Sequence, residues 1–163
     1  MVSYDVSLQA GELLMVKEPK VKWVKSWREI PGATSNVHGH VTSKGTIYAI
    51  KGETSKADVE HEKGHIALGH LKKKRALTAS AHVREEIDAT YYSYKRIGQP
   101  NRILSRLRAL YNDLAFREYG GQYKEPRQIL KVIRDALKRH PIPIAWKRDY
   151  ARLVEEARGD VNY

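Results

Sequence analysis

The spacing of apolar residues changes once along this chain, near Gly52, and that change limits the folds that the chain can form. Before Gly52 the apolar side chains alternate, as Val21 and Trp23 do, whereas after it they recur every three or four residues. Alternation is typical of β-strands, and the longer spacing is typical of amphipathic helices. Strands followed by helices predict an α+β fold, with a small antiparallel N-terminal sheet and a mostly helical C-terminal part.

A β-hairpin is predicted immediately before this change. Residues 37–41 and 46–50 flank the turn Ser43-Lys44-Gly45, and Gly52 closes the second strand. Two strand-like runs joined by a short turn that contains glycine are typical of a hairpin.

Five helices are predicted after the hairpin. The first begins with a capping box, since Ser55 and Asp58 can exchange hydrogen bonds between side chain and backbone, and it should run to about Leu71. The second should start near Ser80 and end before Gly98-Gln99-Pro100, because proline disfavours helical geometry in the residue before it. The remaining apolar stripes predict a helix that stops by Gly120-Gly121, one from Pro126 to before Pro141, and one that ends at Gly159.

Composition excludes several classes of protein. The chain has no cysteine, which excludes disulfide scaffolds, thiolate zinc fingers, iron-sulfur clusters and cysteine nucleophiles. Any metal ligands must therefore be His, Asp or Glu. No stretch approaches the roughly 18–20 apolar residues of a membrane span, and the first residues lack the features of a signal peptide. We expect a soluble, cytoplasmic protein with no membrane partner.

The segment His61-Glu62-Lys63-Gly64-His65 is an HExxH motif on the first predicted helix. Residues four apart on a helix lie above one another, so both imidazoles can reach one zinc ion. At about 100° per residue, Glu62 lies roughly 100° and His65 roughly 40° from His61, so Glu62 can reach a water beside the ion. The motif predicts a zinc site in which His61 and His65 are ligands and Glu62 is the catalytic acid and base.

A catalytic zinc ion takes three protein ligands and leaves a fourth position for water, so a third donor is needed. His70 is nearest along the chain, but on a continuous helix it lies near 180° and points away from the other two histidines. The second predicted helix offers four candidates: His82, Glu85, Glu86 and Asp88.

The segment Glu86-Ile87-Asp88-Ala89-Thr90-Tyr91-Tyr92-Ser93 resembles the E-x-E-A-x-x-[FY]-[AS] segment that follows HExGH in ImmA/IrrE-type peptidases, a branch of the gluzincin metallopeptidases. The resemblance covers about residues 48–100. It implies a zincin-like fold, zinc as cofactor, Glu86 as the third ligand and a protein or peptide as substrate. Residues 1–100 would then form a minimal metallopeptidase domain, and residues 101–163 a helical extension that can pack into the same domain.

This resemblance leaves three features of the site open. Thr90 stands where many gluzincins have an acidic residue bonded to a ligand histidine, so that a backbone carbonyl, Asp58 or Asp88 could serve instead. The resemblance also implies that residues 46–50 form an edge strand that pairs with extended substrate. The candidates for stabilising the oxyanion of the reaction are His82, Tyr91, Tyr92 and Tyr94.

The charge of the chain favours a rival function. Thirty Lys and Arg against nineteen Asp and Glu give a net charge of +11, which suits association with nucleic acid. The basic runs that could contact phosphates are Lys72-Lys73-Lys74-Arg75, Arg102 with Arg106 and Arg108, and Lys138-Arg139. The alternatives to a peptidase are therefore a nucleic-acid-binding protein, a peptidase that acts on a DNA-associated protein, and an inactive zinc-binding homologue.

Overall fold

A computed structural model describes residues 18–33, 39–41, 44–72, 78–98, 103–117 and 125–159 of the chain. The strands are β1 (Val21–Val24), β2 (Gly39–Val41) and β3 (Ile47–Ile50). The helices are α1 (Lys56–Ala67), α2 (Ala79–Ile97), α3 (Leu104–Asn112), α4 (Pro126–Leu137) and α5 (Ile144–Gly159). The predicted α+β class is confirmed. Pro100, the predicted stop at Gly120-Gly121 and most of the Lys72-Lys73-Lys74-Arg75 run lie outside the described residues.

The sheet is mixed, with the strand order β1-β3-β2. The hairpin strands β2 and β3 are antiparallel, but β1 runs parallel to β3, with Val21 opposite Ile47. The prediction of an antiparallel sheet is therefore wrong for β1. Parallel neighbours need a long connection, and residues 25–46, which include β2, separate β1 from β3 along the chain. Alternating apolar residues do not encode that direction.

The position of β3 also corrects the edge-strand prediction. Within the described residues, β3 pairs on both sides, with β1 and with β2. Its backbone donors and acceptors are therefore used inside the sheet, and residues 47–50 cannot bind extended substrate by adding a strand. Ile47, Ala49 and Ile50 are buried, as expected for a central strand.

Helix α1 starts as predicted and ends early. Ser55 Oγ accepts a hydrogen bond from the Asp58 backbone N–H at 3.1 Å, and Asp58 Oδ2 accepts one from the Ser55 N–H at 3.0 Å. The helix ends at Ala67 rather than at about Leu71. Gly69, at φ +72°, adopts the left-handed conformation that commonly terminates helices, and the chain turns there.

One hydrophobic core joins α2 to the three later helices. Val83 and Ile87 of α2 pack with buried residues of α3, α4 and α5, among them Leu107, Ile133 and Trp146. A division of the chain at residue 100 therefore falls between helices that share a core. No described helix combines the length and the apolar content needed to span a membrane.

Helices α1 and α2 approach one another closely at Gly64. A Cβ atom at Gly64 would lie 3.0 Å from both the Cα and the carbonyl oxygen of Ala89. These are backbone atoms, which cannot rotate away as the end of a side chain can. Glycine at this position lets the two helices pack at a distance that alanine would not allow.

Gly64→Ala should lower the free energy of unfolding by about 1–3 kcal/mol, because the methyl group overpacks this contact. In an open helix the same change should stabilise by up to about 1 kcal/mol. Gly159→Ala at the end of α5 is the matched control, since a Cβ there meets nothing within 4 Å. Urea denaturation of both variants and of the wild type measures the two effects. A Gly64→Ala protein as stable as the wild type would contradict the close approach.

Candidate metal centre

The structure brings His61, His65 and Glu86 together. The two histidines lie one turn apart on α1, and their Nε2 atoms are 3.1 Å apart. Glu86, on α2, places Oε2 at 3.2 Å from His61 Nε2 and Oε1 at 3.3 Å from His65 Nε2. One ligand atom from each residue lies within 4.8 Å of the others, and these are the three residues predicted as ligands.

The donor set fits a zinc ion in both chemistry and size. Two imidazoles and one carboxylate are a common ligand set of catalytic zinc. A tetrahedral ion with bonds of about 2.0–2.1 Å has neighbouring donors about 3.3–3.4 Å apart. The two imidazole nitrogens are 3.1 Å apart and lie 3.2 and 3.3 Å from the two different carboxylate oxygens of Glu86, and these separations are close to this value.

The protonation states of His61, His65 and Glu86 also favour binding of a cation. Burial lowers the pKa of His61 to about 4, which keeps its imidazole neutral. Burial would likewise lower the pKa of His65, but the hydrogen bond and the charge of Glu86 outweigh it and raise that pKa. Burial opposes ionisation of Glu86, yet its contacts with His61 and His65 hold its pKa well below its usual range. Glu86 is therefore ionised, and the cluster favours a positive charge among its donors.

Thr90 orients His61. Its hydroxyl donates to the Glu86 backbone carbonyl at 2.7 Å and lies 3.2 Å from His61 Nδ1. A hydroxyl has one proton, so toward His61 the Thr90 oxygen acts as acceptor for Nδ1–H. This tautomer leaves the lone pair of Nε2 directed at the other donors. Thr90 is thus the partner of His61 Nδ1, and the sequence candidates Asp58 and Asp88 do not contact this nitrogen within the described residues.

His70 contacts His65 through the ring nitrogen that faces away from the donor cluster. Its Nδ1 atom is 2.9 Å from Nδ1 of His65, so one ring must donate to the other. The prediction that His70 points away from the other two histidines on a continuous helix is wrong, because the chain turns at Gly69. His70 is nevertheless not one of the three clustered donors.

Glu62 is well placed to act as a base. Burial raises the pKa of Glu62, and the charges of His65 and Glu86 also act on it, so it lies within electrostatic reach of the donors. Among the residues that the structure describes, none forms a hydrogen bond or ion pair with its carboxylate. The proton affinity of Glu62 is therefore higher than usual.

Arg106 is also part of this site, although the sequence did not indicate this position. It lies on α3, and its Nη1 atom is 2.8 Å from His61 Nε2 and 3.4 Å from Glu86 Oε2. On the sequence alone, Arg106 is a candidate for contacting a phosphate, together with Arg102 and Arg108. Its position on α3 offered a hint, because it borders the buried stripe of Ile103, Leu107 and Leu110 instead of the opposite face.

The other sequence candidates have different partners. Asp88 Oδ1 lies 2.6 Å from His140 Nε2, and the ring of Tyr91 stacks on His140 with centroids 4.4 Å apart. His82 and Glu85 lie outside the donor cluster. Tyr94 lines a cleft of about 630 Å³ that opens beside the donors. This cleft is lined by residues of α1, α2, α3 and α5, among them Asp58, His61, Thr90, Arg106 and Trp146.

Comparison of the chain with known protein families, curated proteins and solved structures found no match. The resemblance to ImmA/IrrE-type peptidases therefore stays a prediction from the segment around Glu86. The chemistry of the donors and the cleft is the basis on which a function can be assigned.

Thr90→Val should weaken zinc binding about 10-fold or more, because His61 loses the acceptor that fixes its tautomer. Valine keeps the shape of the side chain. Ser93→Ala is the matched control, since Ser93 also bonds to a backbone carbonyl, that of Ala57 at 3.0 Å, but touches no donor. Competition with a chromophoric chelator measures both affinities. Equal zinc affinity in Thr90→Val and in the wild type would show that Thr90 does not orient the ligand.

Proposed function

We propose that this protein is a zincin-like metallopeptidase that binds zinc and hydrolyses peptide bonds of a protein substrate. The observation that carries the proposal is the juxtaposition of a three-donor cluster with the half-buried carboxylate of Glu62, which has no hydrogen-bond or ion-pair partner among the described residues. His61, His65 and Glu86 would hold the ion. Glu62, adjacent to His61 on α1, would carry the proton transfer.

The chemistry divides between the ion and the chain. When bound, zinc lowers the pKa of a coordinated water towards about 7 and polarises a substrate carbonyl. Glu62 accepts a proton from the water whose oxygen attacks the carbonyl carbon. The C–N bond then breaks, and Glu62 passes the proton to the leaving nitrogen. One water and one peptide bond thus give a new carboxyl group and a new amino group.

Two features favour an enzyme over an inactive zinc protein. Structural zinc sites usually have four protein ligands, whereas three clustered donors leave a position for water. The cleft of about 630 Å³ is lined by His61, so a substrate bound there lies next to one of the three donors. An inactive site would need neither feature.

Several basic residues that suggested nucleic-acid binding are engaged with carboxylates. Arg108 binds Glu156 through Nε at 2.7 Å and Nη2 at 2.5 Å, and Arg139 lies 3.6 Å from Asp88. Arg106 faces the donor cluster. These three arginines are therefore partly neutralised, which weakens the case for a phosphate-binding surface built from them.

Glu62→Gln should keep zinc and lower the cleavage rate by about 10²–10⁴-fold, because the amide cannot accept the proton. His65→Ala should lose zinc and cleavage together. Zinc is measured by mass spectrometry on protein purified without chelators. Cleavage is measured by sequencing the new termini formed when the zinc-loaded protein acts on a library of proteome-derived peptides. Wild-type cleavage by Glu62→Gln would contradict the mechanism, and a metal-free wild type would contradict the proposal.

The acid limb of the pH profile should reflect Glu62. Its pKa is raised above the usual 4.5 because the carboxyl group is buried, and the base acts only when ionised. Activity should therefore be present above this raised pKa and fall as the pH decreases through it. The kcat/KM profile measures the limb, and zinc content at each pH separates it from loss of metal. Full activity persisting to pH 4.5 with zinc bound would exclude Glu62 as the base.

A further inference from the structure

We infer that Arg106 is a catalytic residue of the proposed peptidase, whose guanidinium binds the scissile carbonyl oxygen and stabilises the negative charge that forms there. This inference rests on the proposed function and deepens it. It also gives the C-terminal helices a part in the chemistry, because Arg106 belongs to α3 and not to the segment that resembles a known family.

The guanidinium of Arg106 is a permanent positive charge beside the candidate metal ligands His61 and Glu86. Arg106 Nη1 lies within hydrogen-bonding distance of His61 Nε2, and Nη2 is 3.8 Å from Asp58 Oδ1. The side chain is 29% exposed and lines the cleft through which a substrate would approach. In the described part of the chain, no other lysine or arginine contacts the three donors.

A guanidinium at this position does not help to hold a metal ion. Arginine carries donors and no acceptor, and it stays protonated, so it cannot be a ligand. The charge of the guanidinium repels a metal cation, and its N–H group competes with that cation for the lone pair of His61. The N–H groups of Arg106 would therefore be displaced from His61 when zinc is bound, and an anionic partner in the cleft would compete for them with Asp58 and Glu86.

The oxyanion of peptide hydrolysis is such a partner. Preorganised donors stabilise the charge that develops on the carbonyl oxygen, and removal of one such donor commonly lowers kcat by about 10²–10³-fold. The sequence candidates for this role are less suitable, since Tyr91 stacks on His140 and the ring of Tyr92 lies against Arg96 and Gly64. Tyr94 lines the cleft but packs toward Trp146, with ring centroids 5.7 Å apart.

The test compares Arg106→Met, Arg106→Lys and the control Arg108→Met, all in the full chain. Arg108 lies two residues away on the same helix and pairs with Glu156 at the surface. The first measurement is zinc affinity of the metal-free proteins by competition with a chromophoric chelator. Arg106→Met should bind zinc as tightly as the wild type or more tightly, because a repelling charge is removed. Weaker zinc binding by Arg106→Met would overturn the inference in favour of a role in holding the site together.

The second measurement is kinetic, on a peptide that spans a cleavage site mapped with the wild type. Arg106→Met should lower kcat about 10²–10³-fold with little change in KM, and Arg106→Lys should recover part of the loss. A phosphinic peptide of the same sequence, which mimics the tetrahedral oxyanion, should bind Arg106→Met more weakly by a similar factor. Arg108→Met should match the wild type in all three measurements.

The outcomes test the role of Arg106 separately from the proposed peptidase function. Cleavage by the wild type together with an undiminished kcat in Arg106→Met overturns the role of Arg106 alone. Failure of the zinc-loaded wild type to cut any peptide overturns the proposed function and this inference with it. Thermal unfolding of each variant identifies a loss of kcat that comes from misfolding, and in that case Arg106→Lys, which keeps the charge and much of the side-chain bulk, decides the question.

Discussion

The contact between Gly64 of α1 and the backbone of Ala89 on α2 is the constraint on which the site depends. His61 and His65 lie within one turn of Gly64, and Glu86 lies one turn before Ala89 along α2. The distance between the two helices therefore sets the separation between the imidazoles and the carboxylate. The same close packing removes water from these groups, which accounts for the depressed pKa of His61 and the raised pKa of Glu62.

The parts of the structure that follow from local spacing could be predicted from the sequence. The capping box at Ser55 and the shared face of His61 and His65 depend only on residues within two turns of one helix. Glu86 required the resemblance to a known segment, because spacing alone left four candidates. The direction of β1 and the end of α1 could not be predicted, since alternation carries no direction and the turn at Gly69 depends on a left-handed backbone conformation.

Long-range packing explains the remaining differences. Thr90 and Arg106 reach His61 from 29 and 45 positions away along the chain, and local spacing does not identify His61 as the partner of either residue. The first follows from the packing of α1 against α2, and the second from the core that joins α2 to α3. A threonine in place of an acidic residue and an arginine in a basic run each have ordinary explanations until the fold places them beside a histidine.

The residues that line the cleft come from helices, their caps and the adjoining turns, and none belongs to the sheet. The peptide groups within a helix are bonded to one another, so such walls offer few main-chain partners to a bound polypeptide. Peptidases that bind extended substrate by backbone hydrogen bonds along a β-strand can accept many sequences, because every residue has the same backbone. A peptidase with this cleft would discriminate through contacts between side chains, and the proposed function therefore implies a narrow range of protein substrates.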